Sequence, residues 1–166
     1  DAAAAAIGCS PEQALCEGQG AIEMENLARA HLDAHGDCVG YPFELRSDPS
    51  GLFRLSAGPM WHALTKDVLE GVSRGCIAAR FHEGLARAIV DCVARLRTAA
   101  TLADLKVVAL SGGCFQNRLL LNRCTALLQA TGLRCISHAA VPTNDGGLAL
   151  GQALIALARR KPSSPP

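Results

Sequence analysis

Aromatic residues are scarce in this chain, at 4% of 166 residues, with one tryptophan and one tyrosine. The core must therefore come mainly from Ala, Leu, Val and Ile, small aliphatic side chains suited to close helix packing. An excess of one charge is also lacking, since 16 Lys and Arg face 15 Asp and Glu, for a net charge of +1. Without a broad field to hold phosphate backbones or acidic lipid, nucleic-acid coating and membrane-surface binding are set aside. Apolar runs are short. Ala2 to Ile7, and Leu148 to Ala158 interrupted by Gly151 and Gln152, fall well below the ~20 residues that cross a bilayer. The first run also lacks the charged flank of a signal peptide. Asp1 in place of Met, opening an Ala-rich helical stretch, reads as a segment cut from something longer.

Cysteine is present eight times, but no C-x-x-C pair occurs among Cys9, Cys16, Cys38, Cys76, Cys92, Cys114, Cys124 and Cys135. Zinc-ribbon spacing is thereby excluded, and a domain with a large aliphatic core needs no staples. These residues read as mostly reduced, buried thiols of a cytoplasmic protein, each acting as a small hydrophobe.

Hydrophobic spacing predicts the elements. Asp1 to Ile7 reads as the tail of a helix ended by Gly8, and Gly20 to Gly36 as an amphipathic helix. Phe43–Arg46 and Leu52–Ser56, separated by Asp48-Pro49-Ser50-Gly51, form a β-hairpin pattern. Trp61, Leu64, Val68 and Leu69 recur at helical spacing. After Ser73 or Arg74, Ile77, Phe81, Leu85, Ile89, Cys92, Val93 and Leu96 mark a longer helix, with Arg80, Glu83, Arg87, Arg95 and Arg97 off its apolar spine. The last third repeats strand then helix: Lys106–Leu110 with Asn117–Ala130, and Leu133–Ser137 with Asp145–Arg159. This alternation predicts an α/β architecture with a partly parallel sheet. Residues 161–166 read as a disordered tail.

Both strand-to-helix junctions carry glycine pairs. Ser111-Gly112-Gly113-Cys114-Phe115-Gln116-Asn117 occupies the place where α/β folds put ligands, with glycines that admit a close backbone approach and helix amides that favour anions. The same turn is also what a tight connection requires. Asn117 adds a side chain that can both donate and accept hydrogen bonds to a purine or ribose. Val141-Pro142-Thr143-Asn144-Asp145-Gly146-Gly147 repeats the arrangement. Here Asp145 reads either as a helix N-cap or as a carboxylate ligand for a hard metal ion near phosphate oxygens.

The histidines carry less. His31 and His35 share one helix face at metal-binding spacing, but no third ligand or catalytic Glu accompanies them, so a solvated face is the better reading. His82 reads as a packed or hydrogen-bonded residue, and His62 and His138 belong to no motif.

Val108 to Leu120 followed by Val141 to Gln152 closely resembles the C-terminal end of the HypF family of hydrogenase maturation carbamoyltransferases. Asp1 to Gly8 and Glu17 to Glu23 are similar to that family's Phe-Asp-Ala helix and Tyr-Glu-Gly-Gln-Ala-Ala loop. The resemblance implies the second lobe of a TsaD-like domain of actin-like ATPase (ribonuclease H-like) fold over residues 1–160, a small sheet flanked by helices with two strand-loop-helix units at the C-terminal end. It further implies ATP and carbamoyl phosphate as substrates, carbamoyl-adenylate made by an upstream domain, and transfer of the carbamoyl group to the C-terminal cysteine of HypE, where it later becomes a cyanide ligand of hydrogenase iron. By motif position, Asp1 would bond the nucleotide ribose, Gly18 and Gln19 would lie against the nucleoside, and Gly112, Gly113 and Asn117 would line the adenosine pocket. Asp145 would bind a divalent metal, Mg, Fe or Zn.

Two departures stand out. The family's His-x-x-x-His metal pair lies in the first lobe, absent here, and His31 and His35 are in the wrong place to replace it. The tyrosine before Glu-Gly is Cys16. With half a metal site, the chain alone is expected not to transfer carbamoyl groups, since catalysis needs both reactants in one closed cleft. An apolar face left by the missing lobe makes self-association an expectation too. Two other readings compete: a lobe of the tRNA threonylcarbamoyladenosine transferase relatives, and a non-catalytic metal or interaction module using His31, His35 and cysteines. The tRNA reading is disfavoured by Cys-Phe-Gln-Asn, Asp-Gly-Gly and the near-zero charge.

Overall fold

The computed structural model describes residues 1–9, 16–48, 52–98, 102 and 104–159. The elements run α1 (Ala2–Ala6), α2 (Gln19–His35), β1 (Glu44–Ser47), β2 (Phe53–Ser56), α3 (Gly58–Leu69), α4 (Arg74–Arg97), β3 (Val107–Leu110), α5 (Arg118–Ala130), β4 (Arg134–Ser137) and α6 (Leu148–Arg159). Short 3-10 turns, Gly113–Gln116 and Asp145–Gly147, precede α5 and α6. No described helix is long and apolar enough to cross a membrane.

Among the described residues the strands form two separate two-stranded sheets. β1 and β2 pair antiparallel, Glu44 opposite Ser56, and the predicted turn at 49–51 lies outside the described residues. β3 and β4 pair parallel, with Val107 opposite Arg134 and Leu110 opposite Ser137. Parallel strands need a crossover, and α5 provides it. α3 begins at Gly58, ahead of the predicted pattern, because Pro59 in the first turn has no N–H to leave unsatisfied. Ser73 caps α4, its hydroxyl accepting from Cys76 N at 3.3 Å.

α4 is the central element, and its surroundings correct the expectation of a helix packed along one side. Ile77, Ala78, Ala79, His82, Glu83, Gly84, Ala86 and Ala88 are all buried. Small residues on several faces let other segments approach closely, so Glu83, off the apolar spine, is covered as well, while Arg87 and Arg95 stay exposed. Tyr41, although alone of its kind, is among the largest fully buried side chains. Its hydroxyl donates to Asp67 at 2.6 Å, and Arg80 lies over its ring while pairing with the same carboxylate. Burial, followed by the Asp67 bond, pushes the phenol well above its usual range.

Glu83 joins α4 to α5. Its carboxylate accepts from Arg123 at 2.5 and 2.9 Å and from Arg87 at 2.6 Å. Burial pushes this carboxyl up, but the two guanidinium groups outweigh burial and hold it below its ordinary value of 4.5. Its stabilisation is therefore present above that value and is lost as pH falls below it. Glu83→Ala is expected to cost about 2 kcal/mol. That is less than the ~3–5 kcal/mol for one partner of a fully buried pair, because the Arg87 side chain is 57% exposed and regains water. The denaturant midpoint measures it; an unchanged midpoint would mean that the cluster contributes nothing.

The cysteines are all free, as expected, but only Cys9 and Cys124 are fully buried, while Cys16 and Cys114 are exposed. Burial pushes the Cys124 thiol up to about 12, leaving it an inert core residue. The second strand-helix unit also departs from the expected packing. Leu148, Leu150, Leu154, Ile155 and Leu157 of α6 are exposed, so α6 is not seated on its sheet. The predicted tail at 161–166 lies outside the described residues.

Candidate functional site

Asp1 and Asn117, far apart in sequence, line one cavity of ≈ 320 Å³. Phe43, Trp61 and Phe81 share its wall with Met24 and His82. A chain so poor in aromatics places three of its few rings here, where a flat heterocycle could stack. The volume is at the lower end of the ~300–1,000 Å³ usual for ligand pockets.

Asn117 has two structural duties that its sequence context did not reveal. It is the N-cap of α5, its Oδ1 accepting from Leu120 N at 2.8 Å, and its Nδ2 lies 2.9 Å from Nε2 of His82. His82 is 4% exposed, and its Nδ1 lies 2.8 Å from the Ala78 carbonyl. The packed, hydrogen-bonded character expected of His82 is observed. Burial lowers its pKa, with the Ala78 bond and Glu25 opposing and Arg29 reinforcing.

The amino end of α5 differs from the open anion site that the glycine turn suggested. Glu25 of α2 reaches across, and its Oε1 accepts from Leu119 N at 3.0 Å, while also pairing with Arg29 at 2.8 Å. Two of the first free amides of α5 are thus occupied from within the protein, one by Asn117 and one by a carboxylate. A contact separated by 94 positions leaves no local signal in the sequence.

Gly112 and Gly113 lie outside the aromatic cavity, at the carboxyl end of β3. Gly112 has φ 99, a left-handed conformation that favours glycine, and its N–H donates to Thr143 O at 3.1 Å. This bond ties the two glycine loops together. In the second loop the N-cap is Asn144, not Asp145: Asn144 Oδ1 accepts from Gly146 N at 3.2 Å. Capping falls to Asn144 because the 3-10 turn begins one residue later, at Asp145. The Asp145 carboxylate is exposed and has no hydrogen bond or ion pair among the described residues. It lines a second cavity of ≈ 380 Å³ with Ser111, His138 and Thr143. Ser111 Oγ and His138 Nε2 are 2.8 Å apart, at the ends of the paired strands, a contact that the sequence motifs did not indicate.

Gly18 and Gln19 are placed differently again. Gly18, at φ 75, is the N-cap of α2, and Gln19 begins that helix. Neither lines the cavities that hold Asp1, Asn117 or Asp145. The predicted site residues therefore fall into three groups. Asn117 connects two of them, because it closes the 3-10 turn that starts at Gly113.

Asp145 suits a hard cation as a single oxygen donor. Among the described residues no group of three His, Cys, Asp or Glu side chains could hold a metal, so the remaining ligands would have to come from elsewhere. The His31 and His35 rings stand 4.6 Å apart, and no third donor joins them among the described residues.

Comparison with known proteins places these features in context. The family described as "Carbamoyltransferase, Kae1-like Domain, second subdomain" matches residues 1–152. A carbamoyltransferase HypF homolog of Cupriavidus necator is 41% identical over 94% of this chain and 38% of its own length. Carbamoyltransferase HypF of Rhodobacter capsulatus is 36% identical over 96% of this chain and 19% of its own length. Among solved structures, full-length HypF in its phosphate- and nucleotide-bound form superposes with a TM-score of 0.78 at 30% identity, over 98% of this chain and 20% of that one. The chain thus spans well under half the length of these relatives.

Proposed function

Because the chain belongs to the HypF carbamoyltransferase family, we propose that residues 1–160 form the second lobe of its transfer domain and supply nucleotide-binding groups and one metal ligand. The observation that carries this reading is the aromatic cavity that gathers Asp1 and Asn117 from opposite parts of the chain. The base would stack among Trp61, Phe81 and Phe43, with Asn117 on its polar edge and Asp1 toward the ribose. The linked glycine loops would face the phosphates through backbone N–H groups, leaving Asp145 to the metal. Gly18 and Gln19 would close the site from the α2 side, a role that rests on the motif alone.

The reaction we propose, in the cytoplasm, is carbamoyl transfer from carbamoyl-adenylate to the C-terminal cysteine of HypE. The thiol sulfur bonds to the carbamoyl carbon, the carbon–oxygen bond to AMP breaks with its electron pair going to the phosphate, and the thiol proton is released. When bound, a divalent metal would supply charge stabilisation at the phosphate oxygens. The partners we propose are HypE and the rest of the longer protein, including the first lobe with the other metal ligands. Neither a membrane nor a nucleic acid is among them.

Calorimetric titration of the complete protein with ATP and Mg²⁺ tests the pocket. Loss of one ligand hydrogen bond in Asn117→Ala is expected to weaken binding about tenfold, on the scale of ~1.4 kcal/mol, with a further ~1 kcal/mol lost from stability because the cap goes. Asn117→Asp keeps an oxygen cap yet loses the donor, so its binding should fall while its melting temperature stays closer to wild type. Unchanged ATP affinity in both variants would remove Asn117 from the site.

A further inference from the structure

Resting on the nucleoside pocket proposed above, we infer that His82 is a positioning residue for Asn117 and, through it, sets which purine the cavity accepts. Nδ1 lies 2.8 Å from the Ala78 carbonyl, an oxygen that can only accept, so Nδ1 carries the hydrogen. Nε2 is then an acceptor, and Asn117 Nδ2, at 2.9 Å, donates to it. At its other end, Asn117 Oδ1 accepts from Leu120 N at 2.8 Å. The two bonds, one to α4 and one within α5, agree on a single amide orientation. Reversal would set the oxygen against the Nε2 lone pair and N–H against N–H.

This arrangement limits what Asn117 can offer a ligand. An amide group has two N–H bonds and two oxygen lone pairs, and one of each is already committed. One donor and one acceptor remain. For a base that turns its N7 edge to Asn117, they suit adenine, which presents N7 as acceptor beside its 6-amino donor, whereas guanine presents two acceptors on that edge, N7 and O6. Burial at 4% exposure holds His82 in place, and its edge-on contact with Phe81, centroids 5.7 Å apart, ties it to a ring of the cavity wall. Burial also lowers the His82 pKa, which favours the accepting, neutral form; the Ala78 bond and Glu25 oppose this and Arg29 reinforces it. Without His82 as acceptor, the amide keeps its cap to Leu120 but loses the second restraint that excludes the reversed orientation.

The test compares ATP and GTP titrations of the complete protein in wild-type, His82→Phe, His82→Gln and Asn117→Ala forms, with melting temperatures alongside. Wild type should prefer ATP. In His82→Phe, which keeps a ring but cannot accept, ATP affinity should fall about fivefold to tenfold and the ATP-over-GTP preference should shrink toward parity. His82→Gln, whose side-chain oxygen can accept from Asn117, should restore the preference. Should His82→Phe fail to fold, His82→Leu, equally unable to accept, takes its place. A preference that survives loss of the acceptor overturns the inference, whatever happens to the melting temperature. If Asn117→Ala weakens ATP while His82→Phe changes nothing, the pocket stands and the role of His82 falls. Absence of nucleotide binding in wild type removes both.

Discussion

Replacing Asp145 with alanine is expected to lower carbamoyl transfer by the complete protein at least about 100-fold, a barrier increase of ~2.7 kcal/mol, with no loss of stability. The expectation depends on what this carboxylate does not do. It does not cap its helix, since Asn144 does, and it makes no hydrogen bond or ion pair among the described residues. An exposed carboxylate without structural duty, held on a loop tied to Gly112 through the Thr143 carbonyl, is free to face a cation. A stability-neutral substitution that abolishes transfer and lowers bound metal would assign Asp145 to the metal. Full transfer with normal metal content would show that the cation is held elsewhere. Asp145→Asn, which keeps an oxygen but loses the charge, should fall between the two.

Gly84→Ala is expected to have the largest effect on folding, a loss of about 3 kcal/mol or more, enough to remove much of the ~5–15 kcal/mol typical of a domain. The segment at residues 40–41 crosses α4 backbone to backbone: Tyr41 N donates to Arg80 O at 2.9 Å, and a Cβ on Gly84 would overlap the Tyr41 backbone. A Cβ on Gly40 would in turn strike the backbone of Gly84. Neither side can move aside easily, because Tyr41 is anchored by Asp67 and covered by Arg80. Soluble yield and the unfolding midpoint measure the effect. Gly151→Ala is the control, with open space around its added methyl group and a helix that favours alanine, so it should be neutral or stabilising by up to ~1 kcal/mol. Equal midpoints for Gly84→Ala and wild type would rule out the close crossing.

Local pattern foretold much of the fold. The hairpin, the helices and the parallel pairing of the last two strands follow from alternation, helical spacing, capping residues and turn glycines, all short-range properties. The errors have physical causes. Glu83, set off the apolar spine of α4, sits under a cover that helical spacing does not show, because Arg123 of α5 and Arg87 of its own helix pair with it. Asp145 looked like a cap because Asp often is one; the 3-10 turn that hands the task to Asn144 is a one-residue shift that sequence spacing does not resolve.

The candidate site divides along the same boundary. Residues joined within a single loop, such as Gly112 with Gly113 and Asn144 with Asp145, are evident from the chain itself, because turn chemistry operates over a few residues. Family membership is equally a property of the motifs and their order. The meeting of Asp1 with Asn117, the pinning of Asn117 by His82 and the filling of an α5 amide by Glu25 depend on how α1, α2, α4 and α5 pack. Side chains brought together by packing share no spacing rule, since the distance between them along the chain is set by the lengths of the intervening elements and not by the bond they make.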